Sequence, residues 1–230
     1  MGTLATPNSD PVLDVVVPAY QAESHIEANL LRLCATLDES FPGDYRIIVV
    51  SDGSTDATEA RVRNISKAQI ELVVLDRNRG KGEALREGFS RTRARLVGQI
   101  DADLGIHPES LVRLVQILEA SGADVAIGSK VHPDSRVHYP LLRRAQSRAF
   151  RSVTRLLFSL SVHDTQTGVK VYRQAVARSI VDTAQEEGFA FDLEALVIAQ
   201  ARGYVLIEGP VDLDYHFSST VPLTAALTMF

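Results

Sequence analysis

The chain has 230 residues, of which 45% are apolar, enough to bury a core and too many for a disordered segment. A net charge of -5 and a pI near 5.7 exclude a nucleic-acid binder that works through a basic field, so any anion must be held by a local site. A single cysteine, Cys34, excludes an internal disulfide framework and falls on an apolar helical stripe, where it reads as a core thiol.

The N-terminal MGTLATPNSDP lacks a basic segment followed by an apolar run, so it does not read as a signal peptide. No window approaches the roughly 18 consecutive apolar residues of a membrane span. The expected location is the cytosol, with peripheral contact at the cytoplasmic membrane face. Residues 1–13 read as a flexible lead-in to one domain over 14–217, divided into two halves at 14–105 and 106–217. Residues 218–230 start like a helix, with Ser and Thr caps and Pro222 near the beginning.

Within the domain, short β-branched runs at 14–17, 46–50, 70–75, 96–100 and 124–127 alternate with helical patterns, which predicts α/β architecture with a mostly parallel sheet flanked by helices. Ile26, Leu30, Leu33, Cys34 and Leu37 recur at helical spacing, as do Leu111, Leu114, Val115 and Leu118. The unbroken apolar runs Val15-Val16-Val17 and Ile47-Ile48-Val49-Val50 predict strands covered on both faces. After Tyr139 the pattern turns more helical, with Ala149, Val153, Leu156, Leu157 and Leu160 on one stripe, and this region is expected to build the acceptor side.

Polar residues appear where each strand stops, and open α/β sheets collect ligands at those carboxyl ends. Asp101-Ala102-Asp103 follows the fourth run, and strand alternation is expected to send both carboxylates to one side. Hard oxygen ligands so placed suit Mg2+ or Mn2+ bridging a diphosphate, although an isolated Asp-x-Asp is more often a solvated turn or helix cap. Asp52, Gly53 and Ser54, in the turn SDGSTD after the second run, offer a carboxylate and donors to a base and ribose; the plain alternative is a capping turn with Ser54 or Thr55 as N-cap. In Pro18-Ala19-Tyr20-Gln21-Ala22-Glu23, Tyr20 could stack on a nucleobase and Glu23 accept from its polar edge.

Asn78-Arg79-Gly80-Lys81-Gly82-Glu83 opens a helix with glycines and cations that suit phosphate. It is neither a Walker loop nor a full Gly-x-Gly-x-x-Gly, since Leu85 stands at the last position. Asp164-Thr165-Gln166-Thr167-Gly168 is a polar turn before a short run at 169–172, suited either to facing a sugar or to a plain Asx-type loop. Phe189-Ala190-Phe191-Asp192-Leu193-Glu194 reads, on its own, as the capped start of an amphipathic helix.

Seven segments in order, PAYQAE, SDGSTD, NRGKGEAL, DADL, GSK, DTQTGVKVY and FAFDLEAL, resemble the family-two inverting glycosyltransferases, within them the dolichyl-phosphate glucosyl- and mannosyltransferase branch. The resemblance runs from about Asp14 to Tyr215. It implies a GT-A fold, a divalent metal at Asp101 and Asp103, and a nucleotide-sugar site involving Pro18, Ala19, Tyr20, Glu23, Asp52, Gly53, Ser54, Lys81, Asp101 and Ala102. It further implies catalytic roles around Asp103, Lys130, Gln166 and Asp192, with Glu194 beside Asp192 in the acceptor-side wall. This chain has Gln21 where such proteins usually have Asn, Ser51 where an acid is common, Gly105 in place of a possible metal-shell side chain, and Lys130 for Arg. The usual basic Ser-Lys is absent from the stretch 216–220.

The expected reaction is a single inverting displacement from UDP-glucose or GDP-mannose to a polyprenyl phosphate. That acceptor is already anionic and calls for alignment and charge neutralisation rather than a strong base, with Lys130, Arg143 or Arg144 holding its phosphate. A hydroxyl acceptor would instead require Asp164 or Asp192 to take a proton. A sugar-nucleotide pyrophosphorylase and a non-catalytic nucleotide-sugar sensor are the other readings open at this point.

Overall fold

The structure is a computed structural model that describes residues 10–137 and 160–213. The stripe at 149–157, Arg143, Arg144 and the segment 218–230 lie outside the described residues. Strands β1 (Leu13–Ala19), β2 (Tyr45–Ser51), β3 (Ile70–Val74), β4 (Leu96–Gln99), β5 (Val125–Ser129), β7 (Lys170–Arg173) and β8 (Leu206–Pro210) form one sheet in the order β3-β2-β1-β4-β7-β5-β8. Strands β6 (Arg136–Val137) and β9 (Asp212–Leu213) pair separately, in parallel. Helices are α1 (Ile26–Ser40), α2 (Thr58–Arg63), α3 (Lys81–Ser90), α4 (Pro108–Ser121), α5 (Gln174–Thr183) and α6 (Phe191–Ala201).

Strands β1 to β4 are mutually parallel, as are β5 and β8, while β7 runs antiparallel between β4 and β5. The expected run at 169–172 therefore becomes a reversed strand in the middle of the sheet, something its local pattern does not encode.

The continuous apolar runs are explained by two cores. Val15, Val17, Ile47 and Val49 face the layer holding Leu30, Cys34, Leu111 and Leu118 of α1 and α4. Val16, Ile48 and Val50 face the opposite layer, with Leu85, Phe89, Val176, Ile180 and Leu196 from α3, α5 and α6. Alternate strand residues thus bury on opposite faces, as a sheet clad by helices on both sides demands. Burial also raises the Cys34 thiol pKa, which fits its place as a small core side chain.

Helix boundaries follow local chemistry. Pro108 occupies the first turn of α4, where its missing N–H costs nothing, and Gly122 ends the helix in the left-handed region at φ 70. No helix among the described residues is long and apolar enough to cross a membrane.

Candidate active site

The carboxyl ends of β1, β2 and β4 and the loop leading from β3 into α3 meet at one edge of the sheet. Asp52, buried just past β2, donates its N–H to Ala19 O at 2.8 Å. Its carboxylate accepts from Arg79 N at 2.7 Å and Gly80 N at 2.9 Å, so it ties the β2 loop to the start of α3. Gly53, at φ 63, leaves room for that contact: a Cβ there would stand 2.2 Å from the Arg77 carbonyl carbon.

The β1 and β2 loops are laced together. Gln21, in a left-handed conformation at φ 50, donates its N–H to Ser54 Oγ and accepts from the N–H groups of Thr55 and Asp56 through Oε1. Glu23 accepts from Ala57 N at 2.8 Å, and Asp56 accepts from Glu23 N and from both the N–H and the hydroxyl of Thr58. Helix α2 consequently starts at Thr58 rather than after Ser54 or Thr55, whose side chains serve the neighbouring loop instead. Tyr20 is left half exposed on this surface beside Pro18.

Strand β4 stops at Gln99, two residues before the first carboxylate. Residues 101–104 form a turn in which Leu104 N donates to Asp101 O and Leu104 sits at φ 45. The expectation that strand alternation aims both carboxylates is therefore corrected: Asp101 and Asp103 project from a turn. That turn is fixed by Asn29 of α1, whose Nδ2 donates to Ala102 O at 2.9 Å, and by Gly105 N, which donates to Asp103 Oδ1 at 2.9 Å. Asp103 is exposed, and the Asp101 side chain is 42% exposed.

Behind Asp101 lies a buried ionic chain. Lys81 Nζ sits 2.7 Å from Asp101 Oδ1 and 3.1 Å from Asp192 Oδ2. Asp192 Oδ1 accepts from Lys170 Nζ at 2.5 Å and from Gln99 Nε2 at 2.8 Å. Lys170 also donates to Thr167 O at 2.6 Å, and the Tyr172 hydroxyl donates to Gln99 Oε1 at 3.0 Å. Two ammonium groups and two carboxylates thus balance, which lets Lys170 and Asp192 sit almost wholly out of water.

Burial alone would raise the Asp192 pKa, but the Lys170 and Lys81 charges outweigh it and hold the carboxyl well below the usual range. Burial likewise works against the Lys81 charge, yet Asp101 and Asp192 raise its pKa above the ordinary lysine value. For Lys170 burial prevails and the pKa is lowered, with Asp192 only partly offsetting it.

The turn at 164–168 closes the site from the β7 side. Gly168 packs so tightly that a Cβ there would lie 1.9 Å from Asp101 Oδ2. Asp164 is buried and accepts from Lys130 N at 3.0 Å, while its own N–H donates to Glu208 Oε1. Gln166 is exposed and Lys130 half-buried. Glu194 accepts from Gln185 N and Glu186 N, fixing the loop whose Glu187 O receives the Glu83 N–H at the start of α3. Of the predicted site residues, the structure gathers Asp101, Lys81 and Asp192 directly, and draws Asp52 to the backbone just ahead of Lys81.

Lys170, Gln99 and Asn29 were not singled out from sequence. The available signal was a charged or amide side chain inside an apolar run: Lys170 between Val169 and Val171, and Gln99 ahead of Ile100.

Asp101 and Asp103 present hard oxygen ligands on a turn at the sheet edge, and the bare Cα of Gly168 leaves Asp101 its space. Among the described residues no three or more His, Cys, Asp or Glu side chains gather into a metal cage. This donor set fits a Mg2+- or Mn2+-sized ion, which Asp101 and Asp103 would hold.

A model of the family described as glycosyl transferase family 2 matches residues 14–181. The chain is 29% identical over 219 residues to the dolichyl-phosphate beta-glucosyltransferase of Saccharomyces cerevisiae, covering 86% of this chain and 66% of that protein. It is 32% identical over 203 residues to the enzyme of the same name from Drosophila melanogaster, covering 82% and 62%. Glycosyltransferase AglD of Haloferax volcanii is 30% identical over 203 residues, covering 87% of this chain and 32% of AglD. The chain thus spans about two thirds or less of these relatives' own lengths.

Among solved structures, glucosyl-3-phosphoglycerate synthase from Mycobacterium tuberculosis in complex with UDP superposes with a TM-score of 0.72 at 22% identity, over 95% of this chain and 76% of that one. The same enzyme with Mn2+, UDP and glucosyl-3-phosphoglycerate gives 0.71 at 21% identity. The architecture, a mostly parallel seven-stranded sheet between helices, is the GT-A fold of nucleotide-sugar-dependent transferases. The chain belongs to glycosyl transferase family 2.

Proposed function

We propose that this protein transfers a hexose, glucose by the names of its curated relatives, from a nucleotide-sugar to a polyprenyl phosphate with inversion at the anomeric carbon. In this reading the β1 and β2 loops hold the nucleoside, with Tyr20 against the base and Asp52, Gly53 and Ser54 shaping the pocket beside Pro18, Ala19 and Glu23. Asp101 and Asp103 would hold Mg2+ or Mn2+, which when bound neutralises charge on the leaving diphosphate.

Lys81 stands ready to face that diphosphate because Asp192 and Asp101 hold it protonated at the head of α3. An acceptor phosphate oxygen forms the new bond to the anomeric carbon as the bond to the nucleoside diphosphate breaks, and the diphosphate leaves with the electron pair. No proton has to move. In this reading Lys130, whose N–H is held by Asp164, Gln166 of the neighbouring turn, and Arg143 and Arg144 contact the acceptor.

The observation that carries the proposal is the chain from Lys170 through Asp192 and Lys81 to Asp101. It fixes the Lys81 cation beside Asp101 and engages buried Asp192 with Lys81, Lys170 and Gln99. Asp164 is buried and already accepts a hydrogen bond. Neither carboxylate is suited to deprotonating a hydroxyl, which favours an acceptor that arrives ionised. A lipid acceptor places the active site at a membrane surface, with the chain docked peripherally on the cytoplasmic face.

The test is incubation with UDP-glucose or GDP-mannose and Mn2+, offering short polyprenyl phosphates or free sugars, with products read by mass spectrometry. A hexosyl polyprenyl phosphate whose formation stops with chelator is expected. Product only with hydroxyl acceptors, or release of pyrophosphate from a nucleoside triphosphate, would overturn it.

A further inference from the structure

The opposite end of the sheet holds a second polar cleft, of about 400 Å³, lined by Arg46, Arg91, Arg93 and Arg178 with Glu71 as the one carboxylate among its lining residues. It lies at the amino ends of β2 and β3 and just ahead of β4. Arg46 and Asp52 are six positions apart along β2 and its loop, which at strand rise sets Arg46 about 20 Å from the donor edge. In a chain with a net charge of -5, such a concentration of guanidinium groups is a local feature and not a consequence of bulk charge.

The cleft has a rigid floor. Asp14, fully buried at the start of β1, accepts from Arg46 Nε and Nη2 at 3.0 and 2.9 Å and from Arg93 N and Ala94 N at 2.6 and 3.0 Å. This locks the Arg46 guanidinium and the backbone that carries Arg93. Arg46 Nη1 then meets Glu71 Oε2 at 2.9 Å, and Arg91 is engaged by Glu87 at 2.7 Å. Arg93 and Arg178 are exposed, and among the described residues neither guanidinium has a carboxylate partner.

We infer that this cleft is a binding site for a phosphate group carrying two charges, separate from the donor edge. Planar guanidinium forks match phosphate oxygens in pairs, and Arg93 and Arg178, lining one cleft without carboxylate partners among the described residues, supply two unneutralised ones. The phosphate comes either from a soluble metabolite or from a lipid headgroup, and the two sources share this chemistry.

The probe is inorganic phosphate, titrated calorimetrically into the full chain with chelator present so that a divalent-ion site at the donor edge contributes nothing. The variant Arg93→Ala/Arg178→Ala is expected to bind about tenfold more weakly or worse, with an unchanged thermal midpoint. Asp103→Ala and the surface control Arg61→Ala/Arg63→Ala are expected to bind like the parent, so failure of the glycosyltransferase reading does not alter the outcome. No binding by the parent, equal binding by Arg93→Ala/Arg178→Ala, or an equal loss in the Arg61/Arg63 control overturns the site. Co-sedimentation with phosphatidylcholine vesicles containing phosphatidic acid, lost in the Arg93/Arg178 variant, assigns the phosphate to lipid. Retention of phosphate binding without co-sedimentation assigns it to a soluble ligand.

Discussion

Gly168 and Asp101 touch so closely that no side chain fits between them: a Cβ on residue 168 would stand 1.9 Å from Asp101 Oδ2. The two residues are 67 positions apart in sequence, yet the turn before β7 forms the wall behind the first acidic residue of the site. Replacing Gly168 by Ala must displace that turn or the carboxylate. The expected outcome is a loss of about 1–3 kcal/mol in stability, typical of overpacking, together with a weaker Mn2+ response in nucleotide binding. Chemical denaturation and calorimetry with nucleotide, with and without Mn2+, measure the two effects separately.

Asp103 is exposed, and in the turn it accepts a hydrogen bond from Gly105 N. Asp103→Ala is accordingly expected to shift the thermal midpoint little while abolishing any gain in nucleotide affinity from Mn2+. An unchanged Mn2+ effect would remove the metal role assigned to this carboxylate.

Lys170 is wholly buried and its ammonium meets Asp192. Lys170→Met strips one charge from a paired, dehydrated site and is expected to cost about 3–5 kcal/mol. Lys170→Met/Asp192→Asn should recover part of that loss, because both ions then leave together. A double-mutant cycle by denaturant unfolding gives the coupling, and strict additivity would contradict the pairing.

The pH dependence of stability follows from Asp192. Its carboxyl titrates lower in the folded chain than in the unfolded one, where about 3.9 is ordinary. The unfolded state therefore binds the proton first, so the contribution is fully present above about pH 5 and is lost as pH falls through 4 and below. Unfolding free energies at pH 6 and pH 3.5 should differ more for the parent than for Asp192→Asn. Parallel curves would refute the assignment.

Much of the architecture is legible in local pattern. The runs Val15-Val16-Val17 and Ile47-Ile48-Val49-Val50 announce strands clad on both faces, and the stripe from Ile26 to Leu37 is buried throughout as α1. The ends of strands also point to the right loops. What local pattern does not carry is the pairing that makes the site work. Lys170, Gln99 and Asp192 meet across separations of 22 and 93 residues, and nothing near any of them names its partner. The orientation of β7 and the turn at 101–104 are similarly decided by tertiary contacts, the latter by Asn29 reaching Ala102 O.

The reversed strand between β4 and β5 also has a bearing on how the polypeptide reaches its native state. Leu96 of β4 finds its partner in Arg173, so the leading four strands present a raw edge until much later chain has left the ribosome. Long-range closure of this kind slows folding, and here the same strand carries Lys170 to Asp192. Placement of β7 and assembly of the charged centre are therefore coupled.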